Sequence, residues 1–146
     1  MKKQTEPHYA VSACLCGKRC RYDGASRPHD DIREFAEQHH ALLICPESVT
    51  MPTPRPPSER TLDGRVISVN GDDVTSAFYT GAQKTLELCR EKGITHAILK
   101  ERSPSCGVHQ RYDGTFTKHL IDGMGVTAEL LYQNGIVVSS EEDFQK

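Results

Sequence analysis

Cys14, Cys45 and Cys106 each close or shortly follow a short apolar run in a chain of 146 residues that carries six cysteines. Soft thiolates select zinc, copper(I) or iron–sulfur clusters. Structural zinc commonly takes four closed ligands from paired C-x2-C knuckles, and no C-x2-C occurs here. Three thiolates on a four-iron cubane leave one iron without a protein ligand, the arrangement expected of a Lewis acid. The blander reading is that some of these thiols are small buried hydrophobes. That reading suits Cys89, which falls on the apolar stripe of a long helical segment. Cys16 competes with Cys14, because Cys16-Gly-Lys-Arg-Cys-Arg-Tyr-Asp-Gly24 echoes Cys106-Gly-Val-His-Gln-Arg-Tyr-Asp-Gly114 as C-G-x3-R-Y-D-G.

The elements that must position these thiols follow from periodicity. His8–Cys14 predicts a strand running into a loop, and His29-Asp30-Asp31 predicts the cap of a helix over Ile32–His40. The continuous apolar run Ala41–Cys45 predicts a strand buried on both faces. Pro46–Pro57 holds five prolines and predicts a loop, neither helix nor central strand. Arg60–Val69 predicts a hairpin turning at Asp63-Gly64. Asp72 or Asp73 caps the longest helix, which ends near Gly93. A third strand over Ile94–Lys100 leads into the Ser103-Pro-Ser-Cys-Gly107 loop. A helix over Val126–Asn134, stopped by Gly135, precedes a fourth strand over Ile136–Ser139. This alternation predicts one α/β domain over 1–146, a small, mainly parallel, Rossmann-like sheet flanked by helices with a short hairpin insertion. Ligands of open α/β sheets bind outside the carboxyl ends of the strands. Three cysteines distant in sequence are thereby expected to meet in one place.

Composition narrows the function classes. Eighteen basic against twenty acidic residues give a net charge of -2, so no stable nucleic-acid partner is expected. Met1–His8 is polar and lacks the apolar core of a signal peptide, and Ala41–Cys45 is too short to span a bilayer. A cytoplasmic protein without membrane attachment is expected, its cysteines reduced.

The chain resembles the TudS-like thiouracil desulfidase family over nearly its whole length. The likeness rests on Val11-Ser-Ala-Cys-Leu15 with Arg21-Tyr-Asp-Gly24, on Cys45-Pro-Glu47 and on Pro52-x-Pro-Arg-Pro-Pro57. It continues in Asp73-Val-Thr75, Leu99-Lys-Glu101, Ser103-Pro-Ser-Cys-Gly107, Tyr112-Asp-Gly-Thr-Phe116 and Gly125-Val-Thr-Ala128. The resemblance implies a 4Fe–4S cluster on Cys14, Cys45 and Cys106, a catalytic carboxylate at Glu47 and a hydroxyl at Ser103. The chain departs from the family's pattern at Cys16, where Leu is usual, at Cys20, and at Val49-Thr50, where a Gly-Gly pair is usual.

That family implies hydrolytic removal of sulfur from a thiolated pyrimidine base or nucleotide, with release of hydrogen sulfide. A thiocarbonyl sulfur on the open iron leaves the ring carbon electrophilic. Glu47 then takes a proton from the attacking water, and Ser103 relays protons or orients the substrate. Substrate-binding roles fall to Ser12, Arg21, Lys100 and Arg102, with Arg55 a further candidate for a phosphate. Lys18, Arg19, Arg21, Lys100 and Arg102 gather near the expected strand ends, which favours 4-thiouridine monophosphate over the bare base. Two other classes compete. An iron–sulfur redox or sensor module would use Cys16 or Cys20 as a fourth ligand, and a zinc-binding interaction module would hold no iron.

Overall fold

The computed structural model describes residues 7–26 and 28–145. Met1–Glu6, on which the signal-peptide expectation largely rests, lie outside the described residues, as do Arg27 and Lys146.

The chain runs β1 (Tyr9–Ser12), α1 (Asp30–Gln38), β2 (Leu42–Ile44), α2 (Pro46–Thr50), β3 (Ser58–Arg60) and β4 (Val66–Ser68). It continues with α3 (Thr75–Glu91), β5 (His96–Leu99), β6 (Gln110–Tyr112), β7 (Leu120–Asp122), α4 (Val126–Gln133) and β8 (Val137–Ser140). The expected parallel sheet is present, in the order β2-β1-β5-β8. Its helices cover both faces. Val11 and Ile98 pack with Ile32 and Ala36 of α1. Ala10, Ala97 and Leu99 point the other way and pack with Leu86 and Cys89 of α3 and Leu131 of α4. The alternation of Ala10 with Val11, and of Ile98 with its neighbours, is the period of two that a strand imposes. Cys89 is sealed in this core, as its helical stripe predicts.

The α1 cap falls where the sequence places it, whereas α3 has Val74 at its N-cap without a side-chain cap, and Asp73 bonds from the residue before. The His29 ring nitrogen Nδ1 accepts from the Ile32 amide at the start of α1, and Asp73 Oδ1 accepts from the Thr75 amide before α3. Gly93 and Gly135, at φ +69° and +87°, stop α3 and α4 in the left-handed conformation that glycine adopts without strain.

Three expectations need correction. The proline-rich segment opens with a five-residue helix, α2, because Pro46 sits at its first position, where the missing N–H has no acceptor to lose. β2 is an edge strand, so Leu43 is 38% exposed and the strand is not buried on both faces. A second hairpin, β6–β7, follows the Ser103–Gly107 loop, where the sequence reading placed no element. Its strands of three residues are too short to show a period, and the Gln110-Arg-Tyr112 run is polar.

Close approach fixes α2 over α3. A Cβ on Gly81 would collide with the Pro46 carbonyl oxygen, so only glycine lets the two helices meet there. Gly125 likewise admits the backbone of Ser105 beside the start of α4.

Candidate active site

The order β2-β1-β5-β8 reverses direction between β1 and β5, and a crevice opens at the carboxyl ends of strands at such a switch point. Here it is a cavity of about 500 Å³, the size of a small-molecule site. All the predicted site residues line it: Cys14, Cys45 and Cys106, then Glu47 and Ser103, then Ser12, Arg21, Lys100 and Arg102.

Each thiol arrives by a different device. Cys14 sits in the 3-10 turn Ala13–Cys16 that follows β1, and burial pushes its pKa up to about 11. Cys45 is the residue before α2, and its Sγ lies 3.2 Å from Ser48 Oγ and 3.6 Å from the Cys20 carbonyl oxygen. A hydrogen bond from the Cys20 thiol holds Cys45 below the usual thiol range, with Ser48 and the Arg55 charge adding to it. Cys106 is buried in the loop after β5, and burial raises its pKa while a hydrogen bond from Ser12 opposes the rise. Cys16 does not line the cavity. It packs against the cluster of Val11, Ile32 and Ile98, so the echoed motif places its two leading cysteines in different surroundings.

The loop carrying Cys106 is organised by a carboxylate the sequence reading left without a role. Glu101 is 1% exposed, and its Oε1 accepts from the amides of Val108, His109 and Gln110 at 2.7, 2.9 and 3.2 Å. Burial works against its charge, yet these amides hold its pKa below the ordinary value.

Glu47 and Ser103 meet. The Ser103 side chain helps draw the Glu47 carboxyl pKa down, and its hydroxyl oxygen accepts from the amides of Ser105 and Cys106 at 3.0 and 2.9 Å. Burial pushes the Glu47 carboxyl up, against the pull of Arg55 and Ser103. Arg55 does not serve as a free phosphate ligand. Its guanidinium donates to Glu47 Oε1, the Pro52 and Cys20 carbonyl oxygens and Thr53 Oγ1, and its side chain is 5% exposed.

The cations assigned to substrate are mostly engaged. Lys100 pairs with Glu141 at 3.1 Å, Arg102 with Glu142 at 2.5 Å and Arg21 with Asp23 at 3.4 Å. Ser12 is 2% exposed; its hydroxyl accepts from the Lys100 amide and serves Cys106. Lys18 and Arg19 are exposed and do not line the cavity. Among the lining residues to which sequence reasoning gave no role are Tyr22, Tyr112, Phe116 and Lys118. Both tyrosines stand in the echoed Arg-Tyr-Asp-Gly runs, a signal that was available. Phe116 and Lys118 have φ of +59° and +63°, sparsely populated for such side chains. Glu59 holds their loop by accepting from the Gly114 and Phe116 amides at 3.0 and 3.1 Å.

Residues 10–143 match the family described as 2-thiouracil desulfurase. The chain belongs to the 2-thiouracil desulfurase family. It is similar to YbbK of Bacillus subtilis (strain 168), an uncharacterized protein, at 41% identity over 91% of this chain and 95% of the relative. It is also similar to the solved [4Fe-4S]-dependent thiouracil desulfidase TudS, at 42% identity and a TM-score of 0.89, over 95% of this chain and 93% of that one. Four free thiols, those of Cys14, Cys20, Cys45 and Cys106, line one cavity in this family member, a soft donor set of the kind that holds iron–sulfur groups. Among the described residues no group of three histidine, cysteine or acidic side chains closes on a single ion. Also among the described residues, no helix is long and apolar enough to cross a membrane.

Proposed function

We propose that this protein is a thiouracil desulfidase that holds a 4Fe–4S cluster on Cys14, Cys45 and Cys106 and hydrolyses the carbon–sulfur bond of a thiolated pyrimidine. The observation that carries this reading is the gathering of Cys14, Cys45 and Cys106 with Glu47 and Ser103 around one cavity. A cluster on three thiolates supplies an iron with an open position, a Lewis acid suited to a thiocarbonyl sulfur. A redox or sensor module would have no use for a buried carboxylate–hydroxyl pair at the thiols.

The chain's own residues supply the rest. Glu47 takes the proton of the water that attacks the ring carbon, and Arg55 holds that carboxylate in place. Ser103, which lines the same cavity, passes the proton toward the departing sulfur. Tyr22, Tyr112 and Phe116 give the cavity aromatic walls on which a pyrimidine ring can stack. Among the cavity cations, Lys118 is exposed and has no ion pair within the described residues, so it is the group placed to meet a nucleotide phosphate. This supports 4-thiouridine monophosphate as the preferred substrate, with the paired Arg21, Lys100 and Arg102 shaping the mouth. The six free cysteines suit a reducing cytoplasm.

The test is sulfide release from 4-thiouridine monophosphate and from thiouracil by anaerobically loaded protein, without added reductant or nucleotide cofactor. Turnover with the nucleotide favoured in kcat/KM is expected, and a Lys118→Ala chain should lose that preference. No sulfide from either compound would overturn the desulfidase reading. Equal kcat/KM for both would overturn the nucleotide preference alone.

A further inference from the structure

The mechanism leaves one thiol in the cavity without a task. Cys20 is half-buried and lines the same cavity as Cys45, whose sulfur lies against the Cys20 backbone. Its position is built. The Cys20 carbonyl oxygen accepts from Arg55 Nη2 at 2.9 Å and from Ser48 Oγ at 3.4 Å, and lies 3.6 Å from Cys45 Sγ. A second free thiol on the segment whose backbone lies 3.6 Å from Cys45 Sγ suits a different reaction.

We propose that Cys20 is a resolving thiol, which forms a reversible disulfide with Cys45 when the cluster is lost to an oxidant of the peroxide class. The Cys45 thiol attacks one oxygen of hydrogen peroxide, the O–O bond breaks, a sulfenic acid forms, and the departing hydroxide takes the thiol's proton and leaves as water. The Cys20 sulfur then attacks the Cys45 sulfur, the S–O bond breaks, and a second water leaves with the Cys20 proton. Two thiols lose two electrons in total and the peroxide gains two. The disulfide stops Cys45 short of the sulfinic acid, which is not reducible by thiols. Thiol exchange then restores both sulfurs. The protective consequence rests on Cys45 being a cluster ligand; the linkage itself does not.

The full chain, loaded anaerobically, is exposed to hydrogen peroxide, alkylated under denaturing conditions and mapped without reductant. The expected result is one cross-linked peptide pair joining Cys20 to Cys45, with the other four cysteines alkylated. After reduction and reloading, the parent should regain its iron. A Cys20→Ser chain should accumulate sulfinic acid at Cys45 and regain severalfold less. A Cys16→Ser chain should match the parent. Linkage of any other pair, six alkylatable thiols after treatment, or equal iron recovery by the parent and Cys20→Ser would overturn the proposal. Full iron retention by Cys45→Ser would instead sink the ligand assignment and leave the mapped linkage standing.

Discussion

Arg55 Nε donates to Glu47 Oε1 at 3.1 Å, and the same guanidinium reaches the Cys20 carbonyl oxygen at 2.9 Å. One side chain thus ties the carboxylate to the segment that approaches Cys45. An Arg in this role cannot be exchanged for Lys, which lacks the planar fork that serves several acceptors at once. Arg55→Lys should keep its iron but lose turnover, and it should lose more in kcat than in KM. Unchanged kcat would show that Glu47 needs no such support.

Glu47→Gln removes a proton acceptor while keeping the shape. Iron content and the visible spectrum should match the parent, and single-turnover sulfide release should slow by roughly 10²–10⁴-fold. A rate within about threefold of the parent would assign the base to another group.

Replacing Cys14, Cys45 or Cys106 by Ser should each abolish the cluster. Cys16→Ser and Cys89→Ser should retain it, since Cys16 packs away from the cavity and Cys89 is sealed in the core. Anaerobic iron and sulfide analysis, with roughly four of each expected per chain of the parent, decides the matter.

Gly81→Ala forces a methyl into the Pro46 carbonyl and must part α2 from α3. A loss of about 1–3 kcal/mol in unfolding free energy is expected from overpacking of this kind. Because α2 carries Glu47, activity should fall further than stability alone explains. Calorimetry beside turnover separates the two effects.

The His109 ring pairs with Asp143 at 2.7 Å, and that hydrogen bond raises the His109 pKa above 6.5, with Glu101 and Glu142 also facing it. Asp143 is held below its ordinary value first by the Ser140 amide and then by His109. A raised histidine contributes stability that is complete below its unfolded pKa and lost as pH climbs through the folded one. The Tm advantage of the parent over His109→Gln should therefore shrink between about pH 6 and pH 8. The ring is 55% exposed, so the effect should stay below about 1 kcal/mol.

The parallel sheet was legible because its strands are short apolar runs separated by helical periods and glycine stops. From that alone, Cys14, Cys45 and Cys106 could be assigned to one crevice. What stayed hidden depends on contacts between distant segments. Nothing local in Glu101 announces that three amides from residues 108–110 close on it, and nothing in Arg55 announces that it bends back to Glu47. Basic residues were read as a phosphate site because a sequence shows charge but not pairing; Glu141 and Glu142, far along the chain, take up Lys100 and Arg102. The short α2 was missed because proline was weighed as a breaker and not by its position in the first turn.

The three thiols hang from β1, from the end of β2 and from the loop after β5, and β1 is flanked in the sheet by β2 and β5. A chain still emerging from the ribosome has Cys14 and Cys45 in hand long before the strand that delivers Cys106 can insert beside β1. On the proposed ligand set, a cluster would find all three of its thiols only after the strand that delivers Cys106 is made, so it would not template early collapse as a zinc knuckle does for a finger. A chain truncated before β5 would then lack the third thiol and should hold no cluster.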